Sequence, residues 1–116
     1  MSKHNVAVYG TLKQGYGNHR LLAHVPKHAD GTISGYRLFQ SGIPFLVKDD
    51  TSDYDVTVEV YQVDDVTLSS LDRLEGHPSF YCRHQRQIDL PDGQSLTAWI
   101  YEHPPVPYTE NTTGVF

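Results

Sequence analysis

Apolar residues along this chain fall in short runs and in alternation, a pattern more typical of strands than of helices. The run Val6-Ala7-Val8 predicts a first strand over Asn5–Tyr9. Val56, Val58 and Val60 alternate with Thr, Glu and Tyr, which predicts a strand with two unlike faces. Extended structure is therefore expected both at the start of the chain and in its middle.

Glycine and proline divide the other extended segments. Thr32–Phe39 is a candidate strand after an Asp-Gly turn, and Ser41–Val47 is predicted to be a loop leading into a short apolar run. Arg83–Leu90 and Ser95–Tyr101 flank Pro91-Asp92-Gly93, which is a hairpin signal. The last two segments are therefore expected to pair with each other.

One segment, Asp65–Leu74, has the pattern of an α-helix with one apolar face. Asp64 or Asp65 can cap its start. Gly76 can end it in a left-handed conformation, and Pro78 prevents its continuation. The residues expected on its apolar face are Leu68, Leu71 and Leu74.

Two shorter features complete the predicted organisation. Asn18–His24 is predicted to be a short helical turn that Pro26 stops. The tail, with three prolines in Pro104–Pro107, is predicted to be irregular and to lie on the surface. Many strands with one good helix indicate an α+β fold whose sheet is curled or closed around a core. The 116 residues suit a single domain over 1–116.

Composition excludes some classes of partner. The net charge of −5 argues against a nucleic-acid surface, which normally has a basic face. No apolar stretch approaches the ~20 residues of a membrane span. A single cysteine, Cys82, rules out an internal disulfide and suits a reducing compartment. With no signal peptide evident, we expect a cytoplasmic protein, and we expect it to be a monomer.

The first strand breaks into a stretch rich in glycine, with Gly10, Gly15 and Gly17 within eight positions. Such a turn lets main-chain N–H groups converge on an anion, for example a carboxylate or an oxyanion. It does not match a P-loop, because Tyr16 stands where lysine is required. It does not match a dinucleotide fingerprint either, because Arg20 replaces the third glycine.

Glu75 lies at the end of the predicted helix, where exposed carbonyls disfavour a carboxylate by about 0.3–1 kcal/mol. The plain interpretation is a solvated glutamate beside Gly76, and the functional one is a general base. The helix end raises a carboxyl pKa by less than about one unit. A base that works near neutral pH therefore requires burial as well, against Phe80 or Tyr81.

Histidine and cysteine offer weaker alternatives. His24 and His28 are four apart, but Pro26 breaks the helix that would align them, so no metal site is predicted. Cys82 and His84 would share one face of a strand as nucleophile and base, although a lone cysteine is usually a packing residue. The basic cluster Arg83–Arg86 is expected to be a solvated edge and not a phosphate site.

Two blocks about sixty residues apart resemble the gamma-glutamylcyclotransferase-like family. The first is Tyr9-Gly10-Thr11-Leu12, and its extension to Gly15 with Asn18-His19-Arg20 resembles the gamma-glutamylamine cyclotransferase branch. The second is Leu71-Asp72-Arg73-Leu74-Glu75-Gly76 followed by Tyr81-Cys82-Arg83. Segments Gly42–Val47 and Val58–Tyr61 also agree, although Val58 stands where the family often has glycine, and the chain after Pro104 has no counterpart.

This resemblance implies a small mixed β-barrel with a pocket at one end. It implies an enzyme, a cyclotransferase (a transferase or lyase) that releases 5-oxoproline from a γ-glutamyl amine, a small-molecule substrate. No cofactor or metal is implied, because the nucleophile and the electrophile belong to one molecule. Glu75 would be the catalytic acid and base. The residues implied to bind substrate are Tyr9, Gly10, Thr11, Leu12 and Tyr81.

Two alternatives from other classes remain at this point. The same pocket could bind a γ-glutamyl or amino-acid-like ligand without chemistry, because a fold does not fix a function. The proline-rich tail could instead dock a partner protein in an extended form.

Overall fold

The computed structural model describes residues 3–116, which form eight strands, one α-helix and one 3₁₀ helix. In chain order these are β1 (His4–Val8), the 3₁₀ helix (Gly17–Leu22), β2 (Lys27–Ile33), β3 (Tyr36–Ser41), β4 (Ile43–Lys48), β5 (Val56–Val63), α1 (Asp65–Glu75), β6 (Cys82–Asp89), β7 (Ser95–Glu102) and β8 (Thr109–Glu110).

Five strands close into a barrel in the order β1-β5-β2-β6-β7. The barrel closes through β7 and β1, which run parallel with Val6 opposite Trp99, whereas its other neighbours are antiparallel. A second antiparallel sheet has the order β4-β3-β8. The predicted α+β fold, with a small mixed barrel, one main helix and a short helical turn, is confirmed.

The apolar core has two parts, and alternation along the strands assigns residues to one or the other. Val56, Val58 and Val60 of β5 are fully buried inside the barrel, as their spacing predicts. Tyr61 and Val63 at the end of the same strand are also buried, in an outer cluster that includes the buried face of α1. The strand therefore has two covered faces at one end, because the helices pack there.

Helix α1 begins and ends at the predicted capping residues. The Thr67 N–H donates to the Asp64 carboxylate at 2.8 Å, so Asp64 is the N-cap. Gly76 ends the helix with φ 67° and ψ 31°, a left-handed conformation that favours glycine. The apolar face is only partly as predicted: Leu68 and Leu71 are buried, whereas Leu74 is 41% exposed.

Three predictions about the extended segments need correction. Thr32–Phe39 is not one strand, because Gly35 at φ 78° turns the chain from the barrel strand β2 into β3 of the second sheet. Ser41–Val47 is not a loop, because Gly42 makes a tight turn and β4 starts at Ile43. Pro44 is tolerated there because β4 is an edge strand.

The tail is the third correction. It is not irregular throughout, because Thr109–Glu110 pairs with β3. The Glu110 carboxylate accepts a hydrogen bond from Arg37 at 2.9 Å and another from the Tyr54 hydroxyl at 2.7 Å, and these contacts fix the pairing. Among the described residues no helix combines the length and the apolar character needed to cross a membrane.

Candidate active site

A cavity of about 120 Å³ opens where β1 leaves the barrel. Its walls come from the end of β1 and the turn that follows it, from the start of β4, from the last residues of α1, and from aromatic side chains near β6 and β7. All six residues named from the sequence as site residues line it together. The lining residues are Ala7, Val8, Tyr9, Gly10, Thr11, Leu12, Asn18, Ile43, Pro44, Leu74, Glu75, Tyr81 and Tyr101.

Glu75 is the last residue of α1 and lines the cavity, and the next residue, Gly76, ends the helix in a left-handed conformation. Burial raises the pKa of Glu75 from 4.5 to about 7, because a charged carboxylate loses water there. This rise in the pKa exceeds the less than about one unit that the end of a helix supplies. The carboxyl in turn contributes to raising the pKa of the Tyr81 hydroxyl, whose main cause is its own burial.

The turn after β1 lines the same cavity, and some of its main-chain N–H groups are already bonded while others are not. The N–H groups of Lys13, Gln14 and Tyr16 are occupied by Gly10 O, the Glu59 carboxylate and Lys13 O, at 3.0, 3.0 and 3.2 Å. Within residues 3–116, no acceptor is found for the N–H groups of the three cavity-lining residues of this turn, Gly10, Thr11 and Leu12. These three donors are therefore available to a ligand.

Gly10 is required in this turn because of how closely the chain approaches β4. A Cβ atom at this position would lie 2.3 Å from Cγ of Pro44, so any larger residue would push the turn off the strand. The carbonyl of Pro44 also accepts a hydrogen bond from the Tyr81 hydroxyl at 2.5 Å. Pro44 therefore joins the turn, β4 and the aromatic wall of the cavity.

Two residues of the 3₁₀ helix hold the turn from its other side. The Asn18 amide donates to the Thr11 hydroxyl at 2.8 Å, and the His19 ring donates to the Leu12 carbonyl at 2.8 Å. Asn18 also lines the cavity, although it was not among the predicted site residues. The signal that could have identified it was the Asn18-His19-Arg20 stretch of the family resemblance.

The aromatic wall is fixed by hydrogen bonds to the rest of the barrel. The Tyr9 hydroxyl donates to the Tyr101 carbonyl at 2.7 Å. The Tyr101 hydroxyl donates to Asp72 at 2.7 Å, and Arg83 donates to both oxygens of the same carboxylate at 2.8 and 3.2 Å. Burial would raise the pKa of Asp72, but the hydrogen bonds from Arg83 and Tyr101 outweigh it and lower that pKa. Tyr101 was not predicted as a cavity residue.

The basic cluster is not the solvated edge that the sequence suggested. Arg83 pairs with Asp72 and lies over the Trp99 ring at 4.2 Å, and Arg86 pairs with Glu102 at 2.8 Å. The two guanidinium groups do project to different faces of β6, as strand geometry requires. Because both are engaged in ion pairs, neither acts as a free cation.

Among the described residues, no histidine or cysteine lines this cavity. Over residues 3–116, no group of three or more His, Cys, Asp or Glu side chains is placed to hold a metal ion. His24 and His28 border a separate depression of about 310 Å³, where His24 contacts the Thr67 hydroxyl at 3.3 Å. Cys82 and His84 do not line the candidate active site.

Comparison with known proteins adds independent information. A family described as gamma-glutamyl cyclotransferase, AIG2-like, matches residues 6–114. A protein of Methanocaldococcus jannaschii, provisionally named a gamma-glutamylcyclotransferase, is 36% identical over 101 residues, which are 85% of this chain and 83% of that protein. The gamma-glutamylaminecyclotransferase of Homo sapiens is 39% identical over 111 residues, 88% of this chain and 71% of that protein.

The fold has close counterparts as well. The crystal structure of an AIG2-like protein from Mus musculus superposes with a TM-score of 0.81 at 29% identity, covering 94% of this chain and 87% of that one. Every residue that lines the cavity lies inside the segment matched by the family.

Proposed function

Because the chain belongs to the gamma-glutamyl cyclotransferase, AIG2-like family, we propose that it is a gamma-glutamylamine cyclotransferase. It converts a γ-glutamyl amine into 5-oxoproline and a free amine. The observation that carries the proposal is the shared cavity, which is lined both by a carboxyl with a raised pKa and by three residues whose N–H groups have no acceptor among the described residues.

The reaction forms one bond and breaks another within a single molecule. The α-amino nitrogen of the glutamyl group attacks its own γ-carbonyl carbon and closes a five-membered ring, and the bond from that carbon to the amine nitrogen then breaks. The enzyme must hold the substrate in a folded conformation, and such positioning contributes up to about 7–11 kcal/mol. No second reactant enters, so a small cavity suffices.

Glu75 moves the proton in this proposal. The α-amino group is largely protonated near neutral pH, so the carboxylate first removes a proton from it and then returns one to the departing nitrogen. A pKa of about 7 suits both halves of the task, because the two protonation states have similar populations at that pH. General acid–base catalysis of this kind is worth about 10²–10⁴ in rate.

The N–H groups of Gly10, Thr11 and Leu12 stabilise negative charge on the substrate. They bind the α-carboxylate of the substrate or the oxygen of the tetrahedral intermediate, in a site where few water molecules compete. Removing one such donor from an oxyanion site typically lowers the rate by about 10²–10³. Tyr9 and Tyr81 form the wall against which the glutamyl chain lies.

The test is release of 5-oxoproline from γ-glutamyl-propylamide and γ-glutamyl-ε-lysine, followed by mass spectrometry. We expect turnover by the unmodified protein and a loss of about 10²–10⁴ in kcat for Glu75→Gln, which keeps the shape but not the charge. Asp53→Asn is the matched control, because it neutralises an exposed carboxylate outside the cavity. Undiminished turnover by Glu75→Gln would remove Glu75 from its role.

Substrate binding is tested at Thr11. Thr11→Pro removes one N–H group and is expected to weaken binding, whereas Thr11→Ser keeps both the N–H and the hydroxyl that accepts from Asn18. Circular dichroism checks that each variant is folded. Binding of γ-glutamyl amines with no 5-oxoproline under any condition would identify a binding domain in place of an enzyme.

A further inference from the structure

The cavity has an inner part and a rim of different character. The inner wall is made of buried side chains, among them Val8, Tyr9 and Leu12, which are 3, 6 and 4% exposed. The rim holds two large aliphatic side chains, Ile43 at the start of β4 and Leu74 in the last turn of α1, which are 40 and 41% exposed. Because both side chains line the cavity and are also exposed, we place them at its mouth, where part of a ligand would cover them.

Charge is almost absent from the same lining. Among the cavity-lining residues that the structure describes, Glu75 is the one Asp, Glu, Lys, Arg or His. Nearby cations point elsewhere: the Lys13 ammonium donates to the Phe116 main-chain oxygen at 3.0 Å, and the Arg73 guanidinium lies 3.4 Å from the Ser70 hydroxyl. In the proposed reaction Glu75 exchanges protons with the two reacting nitrogens, and the free N–H groups bind the glutamyl half. No charged partner is left for the departing amine.

Because the rim is aliphatic and has no charged side chain, we propose that it selects γ-glutamyl amines whose departing amine carries a hydrocarbon chain or ring next to its nitrogen. Ile43 and Leu74 are the specificity-determining residues. The inference rests on the proposed function, because it concerns the second half of the same substrate. A hydrocarbon group gains from covering exposed aliphatic surface. A carboxylate at the same place would lose water without finding a cation.

The first test is a series of substrates that differ only in the amine. Along the methyl-, propyl- and pentylamides of γ-glutamate, we expect kcat/KM to rise about twofold to fourfold for each added methylene until the chain passes the rim. γ-Glutamylglycine has one more non-hydrogen atom than the propylamide but carries a carboxylate, and we expect it to be at least about tenfold poorer. γ-Glutamyl-ε-lysine shares the hydrocarbon stem of the pentylamide and should not exceed it.

The second test changes the rim. Ile43→Ser and Leu74→Ser are each expected to lower the ratio of kcat/KM for the pentylamide over the methylamide, and Ile43→Val to retain most of it. Val66→Ser is the matched control, since Val66 is 75% exposed on α1 and lies outside the cavity lining. We expect that control to leave the ratio unchanged. A merely structural role of the rim would lower turnover of all amides equally.

The outcomes separate this inference from the function on which it rests. If no member of the series yields 5-oxoproline, the proposed function fails. If all are cyclised but the methylamide is as good as the pentylamide, or γ-glutamylglycine or γ-glutamyl-ε-lysine is preferred, the function stands and the rim inference is overturned. Chain-length dependence that persists in both serine variants would also overturn it.

Discussion

Burial of an ionisable carboxyl in the cavity predicts that Glu75 lowers the stability of the protein at neutral pH. The folded state raises its pKa from 4.5 to about 7, so between these values the folded protein binds more protons than the unfolded chain. Stability therefore falls as the pH rises through this window, and above about pH 7 the loss is complete. Glu75→Gln, which has no charge to bury, is expected to be more stable than the unmodified protein at pH 8.

The magnitude follows from the pKa shift. Each unit corresponds to about 1.36 kcal/mol, so a rise from 4.5 to about 7 sets an upper limit of about 3 kcal/mol. Glu75 is partly exposed, so screening by water reduces the expected gain to about 2 kcal/mol. Over the same pH range kcat/KM should rise with an apparent pKa near 7, because the carboxylate is the active form of the base.

Urea denaturation of the protein and of Glu75→Gln, at constant ionic strength from pH 4 to pH 8, measures the effect. The difference in unfolding free energy should be near zero at pH 4 and grow in favour of the variant towards pH 8. Asp53→Asn controls for the change in net charge and should show no such growth. A flat difference, or a less stable Glu75→Gln at pH 8, would refute the argument that the cavity removes water from this carboxyl.

Two further substitutions test how the site is held. Gly10→Ala places a methyl group against Pro44 and is expected to destabilise the protein by about 1–3 kcal/mol in urea denaturation. Gly17→Ala is the control and should be nearly neutral, because a Cβ atom at Gly17 meets no atom within 4 Å. Equal effects of the two substitutions would contradict the close approach of Gly10 to Pro44. Asp72→Asn removes the charge that Arg83 binds and should cost about 1–3 kcal/mol at pH 7. Because the folded state lowers the pKa of Asp72, this difference should shrink as the pH falls below 3.8, and a difference that persists there would contradict an ionic origin.

Local sequence rules determined much of the architecture, since they act over a few residues. The alternation at Val56, Val58 and Val60 identified a barrel strand, and the aspartate and glycine signals gave both ends of α1 to within a residue. The same rules failed at Gly35, where the chain passes from the barrel into the second sheet, and at Gly42, which makes the tight turn between β3 and β4 of that sheet. A glycine in a turn and a glycine inside a strand look alike in sequence. Which of the two forms depends on which neighbouring strand is available to pair with the segment.

The cavity shows the same division between local and tertiary information. The sequence named the carboxylate and the turn, because their types and order resemble a known pattern. It did not include Leu74, Asn18 or Tyr101 among the site residues, and Leu74 was expected in the core. The 3.6-residue period of an α-helix shows which face of the helix a residue lies on. Packing against the rest of the protein decides how far along the helix that face is buried.

The sequence by itself determined the residue types, the strand and helix segments, and the presence of a carboxyl group at a helix end. Only the tertiary structure decided that this carboxyl lies in a cavity with the N–H groups of Gly10, Thr11 and Leu12, more than sixty residues away in sequence. It also decided the pKa of Glu75, since loss of water depends on every group that surrounds the carboxyl and not on its neighbours in the chain.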